Sequence, residues 1–241
     1  MKPRVLFAAL LLAGSSAEAA EMTDGSQPSA TMDMAGSFGM VQAELDGTQS
    51  HGLGLFNWNV EGWYGGDINK LWIKSEGLTR GDQADDGEVQ ALWSRNISDF
   101  WDFQAGVRED FAPTGRTYAA FGFEGLAPYF FETQVHMFVS DRGDVSARVK
   151  QSLDLPVTQH LFVEPHLEAN FSAQNVPDEH IGSGLSDVTL GLQTRYEITR
   201  EFAPYVDFVW MHALGNTANY LRANAEPPDE LTLRAGIRLW F

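Results

Sequence analysis

Two kinds of metal-binding side chain recur in this sequence at spacings able to gather ions. Residues 160–168 read HLFVEPHLE. In an extended strand successive side chains alternate between faces, so His160, Glu164, His166 and Glu168 share one face. Neighbours on that face stand roughly 6.6–7 Å apart, close enough for long side chains to converge. His136 shares a face with Glu132 and Gln134 by the same rule. Imidazole binds Cu(II) well and carboxylates complete borderline sites, which makes His136, His166, Glu132 and Glu164 a candidate ligand set. Arg148 and Lys150 fall on the matching face of the intervening segment. They could pair with Glu132, Glu164 and Glu168 instead and fill the same space with ion pairs.

The second kind is thioether. Met22, Met32, Met34 and Met40 are four of the six methionines after the initiator, and Met32 and Met34 flank a carboxylate in MDM. Soft sulfur suits Cu(I), although methionine is also a generic filler. His51 and His180 fall in expected loops, where they are either simply solvated or an entry point for Cu(II). His212 lies in YVDFVWMHAL, which is apolar on both faces and leaves its direction open.

Other chemistries find little support. No G-x-S-x-G or H-E-x-x-H occurs, and the Gly-rich stretches WYGGD and GSGLSD lack phosphate-loop spacing, so they read as turns and the chain as a non-enzyme. The absence of cysteine excludes disulfides and thiolate sites. A formal net charge of -17 argues against nucleic acid, since one polyanion repels another, and favours cationic ligands or simple solubility.

The elements that must position these residues are strands. Residues 1–19 have a basic start, a short apolar run and an A-x-A site, and read as an export signal. Its removal leaves about -18. Residues 20–37 are polar and aperiodic, a flexible methionine-containing tail. From 38 to 241 follow segments of roughly ten residues with period-two alternation, the length of a tilted membrane strand. Twelve are expected, near 38–46, 55–65, 70–79, 87–97, 100–110, 117–126, 129–139, 143–154, 160–171, 185–197, 203–213 and 230–241. An even number returns both ends to one side of a membrane. Short turns at GGDIN, SD, AP, PVTQ and TREF would lie at that side, and the stretches near 172–184 and 214–229 would be loops at the other. Trp63, Tyr64, Trp101, Tyr129, Tyr205, Trp210 and Trp240 fall near segment ends, as interfacial girdles require. The expected fold is all-β: a transmembrane antiparallel barrel with the N-terminal tail in the periplasm. A soluble β domain is the alternative that alternation alone leaves open.

Four stretches carry a resemblance: WYGGDINKLWIKSEG (63–77), WDFQAGVREDF (101–111), GLSDVTLGLQTRYEITREFAPYV (184–206) and LRAGIRLWF (233–241). They are similar to the copper resistance protein B family of the bacterial outer membrane, over roughly 38–241. The resemblance implies an exported barrel in outer-membrane lipid that binds copper ions, as ligand or cargo rather than catalytic cofactor. It would move them across the outer membrane or sequester them there. The alternative is a non-conducting anchor that recruits a periplasmic multicopper oxidase, transporter or copper chaperone. Many members carry long Met- and His-rich tracts before the barrel. Here only Met22, Met32, Met34 and Met40 stand in that place, which argues against high-capacity storage in the tail.

Overall fold

A computed structural model describes residues 37–50, 53–81 and 83–241. The signal, Met22, Met32, Met34 and His51 lie outside the described residues. Among the described residues, strands run β1 (Phe38–Ser50), β2 (Leu53–Gly65), β3 (Asn69–Arg80), β4 (Gln83–Ser98), β5 (Trp101–Ala112), β6 (Arg116–Ala127) and β7 (Phe131–Ser140). They continue through β8 (Val145–Ser152), β9 (Leu155–Pro156), β10 (Leu161–Ser172), β11 (Gly184–Tyr196), β12 (Phe202–Ala213) and β13 (Asp229–Trp240). One helix, α1 (Gly215–Ala223), lies within the 214–229 stretch expected to be a plain loop.

Each strand pairs antiparallel with its neighbour, and β13 pairs with β1 in the register Gln42↔Trp240 through Gly47↔Ala235. Val41 and Phe241 exchange backbone N–H···O bonds of 2.9 Å in both directions. The alternating C-terminus is therefore the closing stave of a cylinder.

The count of staves is twelve, because the two-residue β9 continues β8 along the same edge of β10. Pro165 causes the interruption. Its carbonyl accepts from Leu153 N–H at 3.2 Å, so its missing N–H faces the same side, where β8 ends. Most of the strands are longer than ten residues, reaching sixteen in β4. Their ends, such as Asp85–Asp86, are polar on both faces. Alternation is lost there while backbone pairing continues.

Burial is inverted relative to a water-soluble protein. Outward Leu190, Leu192, Val206, Phe208, Leu231 and Leu233 are 43–62% exposed. Inward Gln104, His136, Gln193, Arg195 and Asp207 are 0–6% exposed. Such a surface requires an apolar solvent, and a closed barrel is the β architecture that leaves no unpaired edge in one. No described helix is long and apolar enough to cross a membrane. On the outer face aromatic rings cover glycines of adjoining strands: Trp58 lies against Gly77, Phe111 against Gly87, and the two rings stack at 6.4 Å.

Trp63 and Tyr205, both assigned to the aromatic girdle, turn inward and are packed there. Trp63 shares the phase of Asn57, Asn59 and Glu61, and packs on Trp72 with ring centroids 6.4 Å apart. Tyr205 is 4% exposed and donates its hydroxyl to Asp46 at 3.0 Å. Parity overrules ring type in both cases, since one residue of phase separates lipid from lumen.

This facing predicts a sharp asymmetry between adjacent positions. Leu190→Arg should cost about 2–4 kcal/mol of folding stability in lipid, as charges on a barrel's lipid face do near mid-membrane. Thr189→Arg, one residue away on the lumen wall, should cost under about 1 kcal/mol. Urea unfolding in lipid vesicles measures both.

Candidate functional site

The lumen is where the chemistry-bearing residues meet. It encloses a cavity of about 810 Å³, lined by fourteen Asp and Glu side chains and six Lys and Arg side chains. The wall beneath is partly apolar: Trp72, Leu92, Tyr118, Ala120 and Phe138 form one buried cluster, with Met40 and Trp63 against it. Met40 thus packs among aromatics at the start of β1.

Cations lie across the aromatic rings and reach acids on distant strands. Arg108 stacks on Phe138 at 4.7 Å and pairs with Glu88 at 2.7 Å. Arg148 on β8 donates to Glu88 on β4 at 3.0 and 3.1 Å, and also pairs with Glu76 on β3 and with Glu168 on β10. Lys150 bridges Glu76 and Glu168. Because β3 and β4 are several staves from β8, these pairs cross the lumen. Lys74 reaches Glu124 at 2.7 Å. Glu164 accepts from Arg195 at 2.6 Å and Arg238 at 2.9 Å on a single oxygen. The ion-pair reading therefore describes Glu164 and Glu168. Glu132 lines the cavity near the start of β7 and has no hydrogen-bond or ion-pair partner among the described residues.

The two inward histidines share one construction with opposite outcomes. His136 on β7 lies over Gly122 of β6 and reaches Gln104 of β5 at 2.8 Å. Gln104 spends its amide N–H on Glu124 at 2.8 Å, so its oxygen accepts from His136 Nε2–H. That fixes the tautomer and ties the ring, which is 5% exposed, into the wall. His166 on β10 lies over Gly191 of β11 and faces Asp207 of β12, with Nε2 3.7 Å from Oδ2. That distance exceeds a hydrogen bond.

The proposed ligands are thus dispersed. His136, His166, Glu132 and Glu164 do not converge, and among the described residues no group of three His, Cys, Asp or Glu has the arrangement to hold a metal. His160 lies at the turn end, where its Nδ1 meets the Glu197 carbonyl at 3.1 Å. His212 points outward and stacks on Trp210. Sequence reasoning missed Asp207, Asp46 and Gln104. Asp207 is the one polar residue of the inward set in YVDFVWMHAL, and its phase becomes legible only once Tyr205 is known to face inward.

The loop end carries a cap. Asn224 beyond α1 donates to His180 at 3.1 Å, and Gly182 N–H donates to Thr217 at 2.8 Å. Arg116, whose side chain is 3% exposed, ties this cap to the wall through Asp144 at 2.7 Å and Glu179 at 2.8 Å. The Gln174 amide, with Arg116, holds the Asp144 carboxyl below its usual range, whereas burial pushes Glu179 up despite the same arginine.

The network predicts unequal costs for losing an arginine. Arg148→Met leaves Glu88, which is 2% exposed, to Arg108 and Gln90 alone and should destabilise the barrel by about 1.5–3 kcal/mol. Arg142→Ala removes an exposed pair with Asp178 and should cost under about 0.5 kcal/mol. Unfolding midpoints in detergent compare the two.

Comparison with known proteins adds the ancestry of this lumen. The family profile for Copper resistance protein B precursor (CopB) matches residues 37–241. Copper resistance protein B of Escherichia coli is 38% identical over 216 residues, covering 89% of this chain and 73% of that protein. The Copper resistance protein B homolog of Pseudomonas syringae pv. tomato is 42% identical over 185 residues, covering 76% of this chain and 63% of that protein. Among solved structures, the KdgM porin (TM-score 0.53, 10% identity) and the NanC porin (TM-score 0.54, 12% identity) each share the barrel fold over 84% of this chain and 99% of their own. The chain belongs to the copper resistance protein B family.

Proposed function

We propose that this chain is an outer-membrane copper-resistance protein that binds copper ions and takes part in moving them across the outer membrane or sequestering them at it. The observation that carries the reading is the lumen of a copper-resistance-family barrel lined by fourteen carboxylates against six cationic groups. A narrow low-dielectric channel focuses such a field and raises the local cation concentration. The turn end, where β1 begins and β13 ends, faces the periplasm in this reading. The N-terminal tail with Met22, Met32 and Met34 is then periplasmic, and its thioethers are suited to Cu(I). Copper is cargo here, and no step of catalysis is assigned to the chain.

A second reading is favoured by one observation. Arg148 and Lys150 tie β8 to β3 and β4 across the lumen, which suits a closed barrel acting as an anchor for a periplasmic multicopper oxidase, transporter or copper chaperone. Ion conductance separates the two.

The conducting reading predicts discrete channels from purified protein in a planar bilayer, with cations favoured over anions; a silent bilayer would transfer support to the anchor. Met32→Leu with Met34→Leu should reduce Cu(I) bound by the full chain, and unchanged Cu(I) titration would remove those sulfurs from the mechanism. Deletion of the protein should lower growth on excess copper, and equal growth with and without it refutes both readings.

A further inference from the structure

His166 and Asp207 face each other on the lumen wall without the hydrogen bonds that hold most of its charged groups. The lumen's other acids pair mainly with Arg or Lys, or accept hydrogen bonds from Asn and Tyr, as Asp46 does from Asn57 at 2.6 Å and Tyr205 at 3.0 Å. Asp207 is 6% exposed, makes no hydrogen bond, and has a fully buried Oδ1 with no partner. An orphaned carboxylate at that depth is costly. Its facing groups are His166 from β10, Arg234 from β13, and Asp46 and Glu44 from β1, so acids outnumber the one permanent cation beside it.

The geometry is that of two ligands with a gap between them. Nε2 of His166 and Oδ2 of Asp207 stand 3.7 Å apart. Nitrogen and oxygen ligands at about 2.0–2.2 Å from one ion stand roughly 3.4 Å apart in a tetrahedral arrangement and roughly 3 Å apart as neighbours in the tetragonal arrangement that Cu(II) prefers. Closing the gap by about 0.3–0.9 Å, within reach of side-chain rotation, would place both on the same ion, and the His166 side chain keeps 26% exposure to the lumen from which ion and water could arrive. Gly191 makes this possible. A Cβ there would lie 2.0 Å from His166 Nε2, so glycine is the socket that lets the ring cross β11 and reach β12. His136 over Gly122 shows the same construction closed by a neutral amide, where no ion is wanted.

We propose that His166 Nε2 and the Asp207 carboxylate form a two-ligand site for a borderline divalent cation, Cu(II) in the setting of this family, completed by lumen water. Two protein ligands hold an ion loosely, as suits cargo in transit rather than a resident cofactor. The site deepens the copper-handling reading and rests on it for the identity of the ion.

The test is Cu(II) binding to the full chain in detergent, read by electron paramagnetic resonance with imidazole-nitrogen couplings. Wild type should show one imidazole-coordinated Cu(II) that is lost in His166→Gln and weakened at least tenfold in Asp207→Asn. Gly191→Ala, which keeps both ligands but evicts the ring from its socket, should lose the signal as well. His160→Gln, at the turn end, should keep it. All variants are first checked for folded electrophoretic mobility. A signal unchanged in His166→Gln and Asp207→Asn, or no Cu(II) signal in wild type, overturns the site. The two failures separate, because copper tolerance restored to a deletion strain by wild-type protein supports the broader reading whatever the spectra show. Failure to restore it, with the signal intact, sinks only the broader reading.

Discussion

In hydrocarbon there is no water to satisfy a backbone amide, and each unpaired group costs several kcal/mol. An open sheet with an outer face like this one would expose two full edges of such groups. The ladder between β1 and β13, ending in the reciprocal Val41–Phe241 bonds, removes both edges at once. Closure then dictates the rest. Once the sheet is a cylinder, period-two alternation sends every second residue outward, and the remaining residues share a narrow interior whatever their charge.

That interior explains the form of the electrostatics. Charges facing one another across a lumen, in an environment between water and protein, interact by about 4 kcal/mol at 4 Å for an effective dielectric near 20. Glu88 at 2% exposure is tolerable because Arg108, Arg148 and Gln90 all reach it. The arginines are steadied in turn by the faces of Phe138 and Tyr118. Cations are too few to neutralise every acid in this way. The surplus is met by amides and hydroxyls at Asp46 and Asp187, and at Asp207 by an imidazole 3.7 Å away with Arg234 beside it.

Much of this was legible in the sequence, and the limits have physical causes. Facing was readable wherever one phase was consistently polar, as in WDFQAGVRED, and there Asp102, Gln104 and Arg108 point inward as alternation requires. It failed where the lumen wall is itself apolar. Tyr205 and Val209 sit on the inner face, so their segment offers no contrast and hides Asp207 between them. Strand ends were underestimated because pairing outlasts the hydrophobic contrast at β4 and β11. Partnerships were less accessible still. That Arg148 and Lys150 would pair with acids could be anticipated. That Glu76 and Glu88 would be among those acids depends on which staves face each other after closure.

The same closure separates two histidines that sequence reasoning treated alike. Both lie on a glycine of the next strand, and both reach a residue two staves away. What differs is the partner at the far end. Gln104 is already oriented by Glu124, so it can only accept, and His136 is consumed in donating to it. Asp207 has no such neighbour and stays an acceptor without a donor at hydrogen-bond distance. In a wall where acids exceed cations, some carboxylate must be left in this condition. Placing it opposite a movable imidazole, over a residue with no side chain, converts an electrostatic deficit into a place where an arriving cation lowers the energy of both groups.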